Sequence, residues 1–159
     1  MRKAVFAGSF DPFTMGHYDI VRRAVKLFDE VVVLAAQNHR KKGFLDPVER
    51  IALIEDALTE FPQVSVASWQ GLTVDFMHSV EAQFLIRGIR NGHDLEWEQS
   101  VAWANQRLYP EIETVLIPAP PEYHHLSSSL VRELIANKAD ITGLVPPNSI
   151  PRLLAQCSL

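Results

Sequence analysis

Alternation constrains this chain most. Five short apolar runs, Lys3–Ala7, Val31–Ala36, Val64–Ala67, Phe84–Arg87 and Thr114–Ile117, are each followed by a helical pattern. The run after Glu30, Val31-Val32-Val33-Leu34-Ala35-Ala36, is continuous and rich in β-branched residues, the signature of a strand covered on both faces. The helical segments read as His17–Phe28, Asp46 or Pro47 to about Glu60, Thr73 to about Val80, Asp94–Leu108 and about Leu130 to Asn137. A last short helix is expected near Ser149 to Gln156, beyond Pro146-Pro147. In the second segment Asp46 can cap, Pro47 suits the first turn, and Ile51, Ile54 and Leu58 face inward. In the fourth, Trp97, Val101, Ala104 and Leu108 form one stripe. Strand and helix alternating five times predict an α/β fold: a doubly wound, Rossmann-like five-stranded parallel sheet with right-handed crossovers. No repeat, linker or low-complexity tract divides residues 1–159, so a single domain is expected.

In such sheets ligands bind beyond the carboxyl ends of the strands, where strand order reverses. Gly8-Ser9-Phe10-Asp11-Pro12-Phe13-Thr14-Met15-Gly16-His17 joins the first strand's carboxyl end to a helix's amino end. Unpaired N–H groups and the dipole at that helix end favour anions, and Gly8 and Gly16 permit close backbone approach. His17 either caps the helix or meets the anion, and its glycine-rich setting favours the anion. If the first and fourth strands are neighbours, the loop Gly88-Ile89-Arg90-Asn91-Gly92 faces the same crevice. Arg87 and Arg90 beside glycines suit bidentate phosphate contacts better than ordinary surface pairing. Lys41 and Lys42, in the basic loop Gln37–Phe44, are a solvated charge run or a third cationic contact on that surface. Ser127, Ser128 and Ser129 form an N-cap cluster that could offer hydroxyls and helix N–H groups to another phosphate. Glu98 sits in the first turns of its helix, where a carboxylate is favoured anyway.

Composition removes several classes. With 47% apolar and 21% charged residues the chain is ordinary for a globular protein. A net charge of −4 argues against nonspecific nucleic-acid binding. No apolar stretch spans a bilayer and no signal-peptide pattern opens the chain, so the expected location is the cytoplasm, with no membrane partner. The lone Cys157 allows no intrachain disulfide. His124-His125 lacks a third ligand at suitable spacing, so no protein-held metal is expected. Neither a Walker A sequence nor G-x-G-x-x-G follows a strand, and no Ser-His-Asp or Cys-His arrangement is legible.

The first motif, Gly8-Ser9-Phe10-Asp11-Pro12 with Gly16-His17, resembles that of the nucleotidyltransferase superfamily with its histidine-containing "HIGH"-type signature. With Arg87-Gly88-Ile89-Arg90, Asp94-Leu95-Glu96-Trp97-Glu98 and Ser127-Ser128-Ser129-Leu130-Val131-Arg132-Glu133, the chain resembles the bacterial phosphopantetheine adenylyltransferases over nearly its whole length. The resemblance implies transfer of an adenylyl group from ATP to 4′-phosphopantetheine, giving dephospho-coenzyme A and pyrophosphate. It implies Mg²⁺ held mainly by substrate phosphates and water, a homohexamer, and possible feedback binding of product or coenzyme A. His17, Lys41 and Arg90 would be catalytic. ATP would meet Ser9, Phe10, His17, Gly88, Ile89, Arg90, Glu98 and the segment Tyr123, His124, His125, Leu126, Ser127, Ser128, Ser129. The acceptor would meet Ser9, Lys41, Thr73 and Arg87.

The chain departs from the pattern in places. Ser9 stands where threonine is also common, Tyr123 where tryptophan often lies, and Gly43 replaces a frequent proline. His124-His125 is outside the motif. The first motif also suits nicotinate-nucleotide adenylyltransferases and small cytidylyltransferases, and a nucleotide-binding sensor without catalysis is an alternative from another class. The arginine and serine motifs argue against the first two, and the retained His17, Lys41, Arg87 and Arg90 against the last.

Overall fold

The computed structural model describes residues 1–37 and 43–155; Lys41 and Cys157 lie outside them. Among the described residues, five strands and six α-helices alternate: β1 (Lys3–Gly8), α1 (Met15–Ala24), β2 (Glu30–Gln37), α2 (Pro47–Ala57), β3 (Val64–Gln70), α3 (Thr73–Ser79), β4 (Phe84–Ile89), α4 (Gly92–Leu108), β5 (Glu113–Pro118), α5 (Ser128–Ala136) and α6 (Ile150–Ala155). The sheet is parallel with order β3-β2-β1-β4-β5, so β1 is central and β4 its neighbour, as the sequence reading assumed. Phe6 stands level with Val33 on one side and Ile86 on the other. Chain progression reverses between β1 and β4, which opens a crevice above their carboxyl ends.

Side-chain alternation divides the core by sheet face. Ala4, Phe6, Val31 and Val33 pack with Ile20, Val21 and Ala24 of α1 and Ile54 of α2. Val5, Ala7, Val32 and Leu34 pack with Val74, Phe76 and Met77 of α3. A third cluster beyond the sheet joins Leu45, Leu53, Leu126, Val131, Ile135 and Leu153, and seats α5 and α6 against the site loops. No described helix is long and apolar enough to cross a membrane.

Several boundaries differ from the sequence reading, among them the end of α2 at Ala57 and of β3 at Gln70. α1 spans Met15–Ala24: it starts close to the expected His17, since Thr14 caps it, and ends before Phe28, since the chain turns after Ala24. That turn lets Phe28 pack on Phe84 with ring centroids 5.2 Å apart. Gly88 and Ile89 belong to β4 and not to a loop, since they pair with Ile117 and Pro118 of β5. α5 starts at Ser128, one residue after its cap Ser127, and not near Leu130. The α4 stripe does not face the core: Trp97 is 65% exposed, Leu108 is 56% exposed, and Glu98 is the buried residue of that helix. Helical periodicity locates an apolar face but not what covers it.

Candidate active site

A cavity of about 320 Å³ opens above β1 and β4, within the size range of small-molecule sites. Its floor is the end of β1 and the turn that follows. There Phe10 has φ +48°, a conformation an aromatic residue rarely adopts, and its ring lies over Gly8. A Cβ at Gly8 would stand 2.7 Å from that ring, so this glycine makes room for Phe10, and it also lines the cavity. Gly16 has ordinary space around a Cβ and borders the cavity.

His17 is set by a reciprocal cap. The Thr14 N–H donates to His17 Nδ1 at 3.0 Å, and the His17 N–H donates to Thr14 Oγ1 at 3.4 Å. A backbone N–H can only donate, so Nδ1 carries the lone pair and the proton resides on Nε2. Phe10, Phe13 and Phe6 surround the ring, with centroids at 5.0, 5.4 and 6.2 Å. Burial among these rings, and then the charges of Arg90 and Arg87, lower the His17 pKa to about 4. The cavity therefore presents a neutral imidazole whose Nε2–H is its donor.

A stability consequence follows. The unfolded chain protonates His17 near 6.5 and the folded chain near 4, so between these values the unfolded state binds the extra proton. Stability then rises with pH through that window and falls as pH drops. Between about pH 7.5 and about pH 5, wild type should lose about 2 kcal/mol more than His17→Ala. Denaturant melts of the two proteins at both pH values measure this, and equal losses would place His17 in an ordinary solvated environment.

Arg87 ends the buried part of β4. Its Nε–H and Nη2–H donate to Glu98 at 2.9 and 2.7 Å in a bidentate fork, and Nη1–H donates to Ala7 O at 2.7 Å. The Glu98 side chain is 7% exposed against 29% for Arg87, so the arginine spans from a buried carboxylate to the cavity. The two residues, assigned by resemblance to different substrates, are one ion pair. Arg90 pairs with Asp94 at 3.0 Å and donates to Leu126 O at 3.3 Å, tying the β4 end to the segment before α5. Ser127 Oγ accepts the Leu130 N–H at 3.1 Å, and its helix opens on the cavity.

Of the expected site residues, Ser9, Phe10, His17, Arg87, Gly88, Arg90, Glu98, Tyr123, Leu126, Ser127 and Ser128 line this one cavity. Ile89, His124, His125 and Ser129 flank it without lining it; the His124 ring contacts Ala119 O at 3.0 Å through Nε2. Thr73 opens α3 after the edge strand β3, two strands from β1, and is outside the cavity. Thr14 and Asp94 line the cavity and were missed. Each had a signal: a threonine three residues before His17, and an acid four residues after Arg90.

A family model described as cytidylyltransferase-like matches residues 5–134. A phosphopantetheine adenylyltransferase of Levilactobacillus brevis is 47% identical over 92% of this chain and 91% of its own length. One from Aromatoleum aromaticum is 40% identical over 98% of this chain and 96% of its own. Among solved structures, a Vibrio parahaemolyticus protein assigned as a nicotinate-nucleotide adenylyltransferase has a TM-score of 0.72. It covers 97% of this chain and 99% of that one at 16% identity, which shows a shared fold.

Proposed function

Since the chain belongs to the phosphopantetheine adenylyltransferases within the cytidylyltransferase-like family, we propose that it transfers the adenylyl group of ATP to 4′-phosphopantetheine, forming dephospho-coenzyme A and pyrophosphate. This is the penultimate step of coenzyme A synthesis. The observation that carries the mechanism is the convergence of a neutral His17, two arginines and the amino end of α5 on one cavity.

An acceptor phosphate oxygen attacks the α-phosphorus of ATP, a new P–O bond forms, and the bond to the β-phosphate oxygen breaks. The acceptor is already anionic, so no strong base is needed. Placement and charge stabilisation supply the acceleration. His17 Nε2–H donates to a nonbridging α-oxygen as its charge grows. Arg87, braced by Glu98, holds the acceptor phosphate with the donors left over from its three protein contacts. Lys41 is assigned the same phosphate, and Thr73 the pantetheine arm. Arg90 and the first turn of α5 receive the leaving phosphates.

Mg²⁺ fits the site as an ion brought in by the nucleotide. The nearby carboxylates are committed: Glu98 to Arg87, Asp94 to Arg90, and Asp11 to two backbone N–H groups. Among the described residues, no group of three or more His, Cys, Asp or Glu is placed to hold a metal. Phosphate oxygens and water would be the ligands, and the chemistry such an ion would supply is neutralisation of charge on the phosphates. A cytoplasmic homohexamer open to feedback by product or coenzyme A completes the reading. The exposed apolar side chains of α4, Trp97, Trp103 and Leu108 at 65%, 68% and 56% exposure, support assembly.

Purified protein with Mg²⁺, ATP and 4′-phosphopantetheine should yield dephospho-coenzyme A by chromatography, and the same preparation should scatter light as six copies. Adenylylation of nicotinate mononucleotide in place of 4′-phosphopantetheine would move the protein to another branch. Nucleotide binding without transfer to any acceptor would make it a sensor.

A further inference from the structure

Each cavity arginine is paired with a carboxylate of α4, and the two pairs differ. Glu98, which holds Arg87, is buried and accepts from the side chain alone. Asp94 lines the cavity itself, its side chain 23% exposed beside an Arg90 side chain at 39%. Asp94 Oδ2 accepts both the backbone N–H and the Nε–H of Arg90 at 3.0 Å, and Oδ1 takes the Nη2–H at 3.5 Å. Asp94 is the third residue of α4, and the cap residue Asn91 accepts its N–H at 2.9 Å through Oδ1. An acid at that position of a capped helix ordinarily reaches back to the N–H of the cap residue. Asp94 reaches one residue further, to the main chain and the guanidinium of Arg90 together. The remaining guanidinium nitrogen, Nη1, donates to Leu126 O at 3.3 Å, the longest of the cavity arginines' bonds to backbone oxygens.

The bonds themselves point to orientation. An arginine without partners samples many rotamers, and a ligand that uses it must immobilise them on binding. Asp94 fixes Arg90 at both ends, main chain and guanidinium, in the empty cavity. Stability gains little from an ion pair this open to solvent. A negative charge lining a cavity that takes a nucleotide also repels the phosphates it faces. We infer that Asp94 is a positioning residue: it holds Arg90 ready for the leaving phosphates, so that this carboxylate strengthens the binding of a polyanion. With Nε and Nη2 taken by Asp94, Nη1 exchanges its long bond to Leu126 O for a phosphate oxygen when the nucleotide arrives. This rests on the function proposed above.

The test is a cycle of four full-length chains: wild type, Asp94→Asn, Arg90→Met and the double variant. The probe is ATP with Mg²⁺, read by calorimetry without acceptor and by kcat/KM for ATP. Asp94→Asn keeps the shape and removes the charge, so by Coulomb's law alone ATP should bind more tightly. The positioning role predicts the opposite sign: affinity and kcat/KM fall at least about fivefold, with thermal unfolding little changed. With Arg90 already replaced by Met, the same change should cost less than about twofold. Asp94→Glu, which keeps the charge, should retain more affinity than Asp94→Asn. Unchanged or tighter ATP binding in Asp94→Asn would make the pair a surface contact and overturn the proposal. An equal loss with and without Arg90 would reduce Asp94 to a part of the helix start, and would overturn it as well. Transfer to a different acceptor, or to none, fails the proposed function alone, and the calorimetric cycle then decides the role of Asp94. A wild type that binds no ATP overturns both.

Discussion

His17→Ala is expected to lower kcat by roughly 10²–10³-fold, or about 2.7–4 kcal/mol, with KM for ATP little changed. The reason is the tautomer. Thr14 N–H occupies Nδ1 at 3.0 Å, so the Nε2 proton is the one the ring can offer to the cavity it lines. A donor aimed where charge develops binds the transition state more tightly than the substrate, and that difference enters kcat. With a pKa of about 4, the imidazole is neutral across the physiological range, so its titration should put no inflection in kcat between about pH 5.5 and about pH 9. An inflection below about pH 6 is expected from the second ionisation of the acceptor's own phosphate, and it should persist in the variant. The fold should survive, because losing the cap and the acceptor for Thr14 N–H costs about 1–3 kcal/mol. Steady-state kinetics on a variant with an unchanged circular dichroism spectrum measure the effect. A kcat within about fivefold of wild type would leave His17 as half of a capping box.

Arg87→Ala should act on binding and on stability together. Loss of a charge-assisted contact to the acceptor phosphate should raise KM for 4′-phosphopantetheine about 10–150-fold, the equivalent of about 1.5–3 kcal/mol, with ATP affected far less. The same change strands Glu98, whose side chain is 7% exposed and whose carboxylate oxygens both accept from Arg87. Breaking a buried pair from one side costs about 3–5 kcal/mol, and the partial exposure of Arg87 places this case near the lower end. Adding Glu98→Gln to Arg87→Ala removes the stranded charge. The double variant should regain stability in denaturant melts and should not regain acceptor affinity. A double variant that recovers both would make Arg87 a structural partner of Glu98. A larger loss for ATP than for the acceptor would assign Arg87 to the nucleotide.

The structure also changes how two resemblance-based assignments are read. The resemblance assigns Glu98 to ATP and Arg87 to the acceptor, yet their fork makes each a condition of the other's placement. Gly43 departs from a frequent proline of the resembled pattern. In the fold it sits against Arg50, which is held by Asp11, Ser9 and Leu45, so its lack of a side chain serves a close contact.

Short-range physics made much of this protein legible from its residues. Alternating periods of apolar residues located the strands and most helices. Asp46 was readable as a cap because its partners, the N–H groups of Val48 and Glu49, lie within three residues. The glycine-flanked turn before His17 and the arginines after β4 pointed to one end of the sheet, because parallel strands bring their following loops to one side. What only the tertiary structure decided involves partners far apart in the chain, or surfaces whose neighbours are not local. Strand order made β1 and β4 neighbours, although 80 residues separate Ala7 from the Arg87 that bonds to it. The fork between Arg87 and Glu98, the clamp of Asp11 on residues 44 and 45, and the reach of Arg132 across 121 positions to Asp11 leave no periodic trace in sequence. The state of His17 depends on three phenyl rings and two distant guanidinium groups, so its pKa belongs to the packed cavity. The α4 stripe shows the same limit from the other side: sequence places Trp97 and Leu108 on one face, and only the packing of the whole chain leaves that face uncovered.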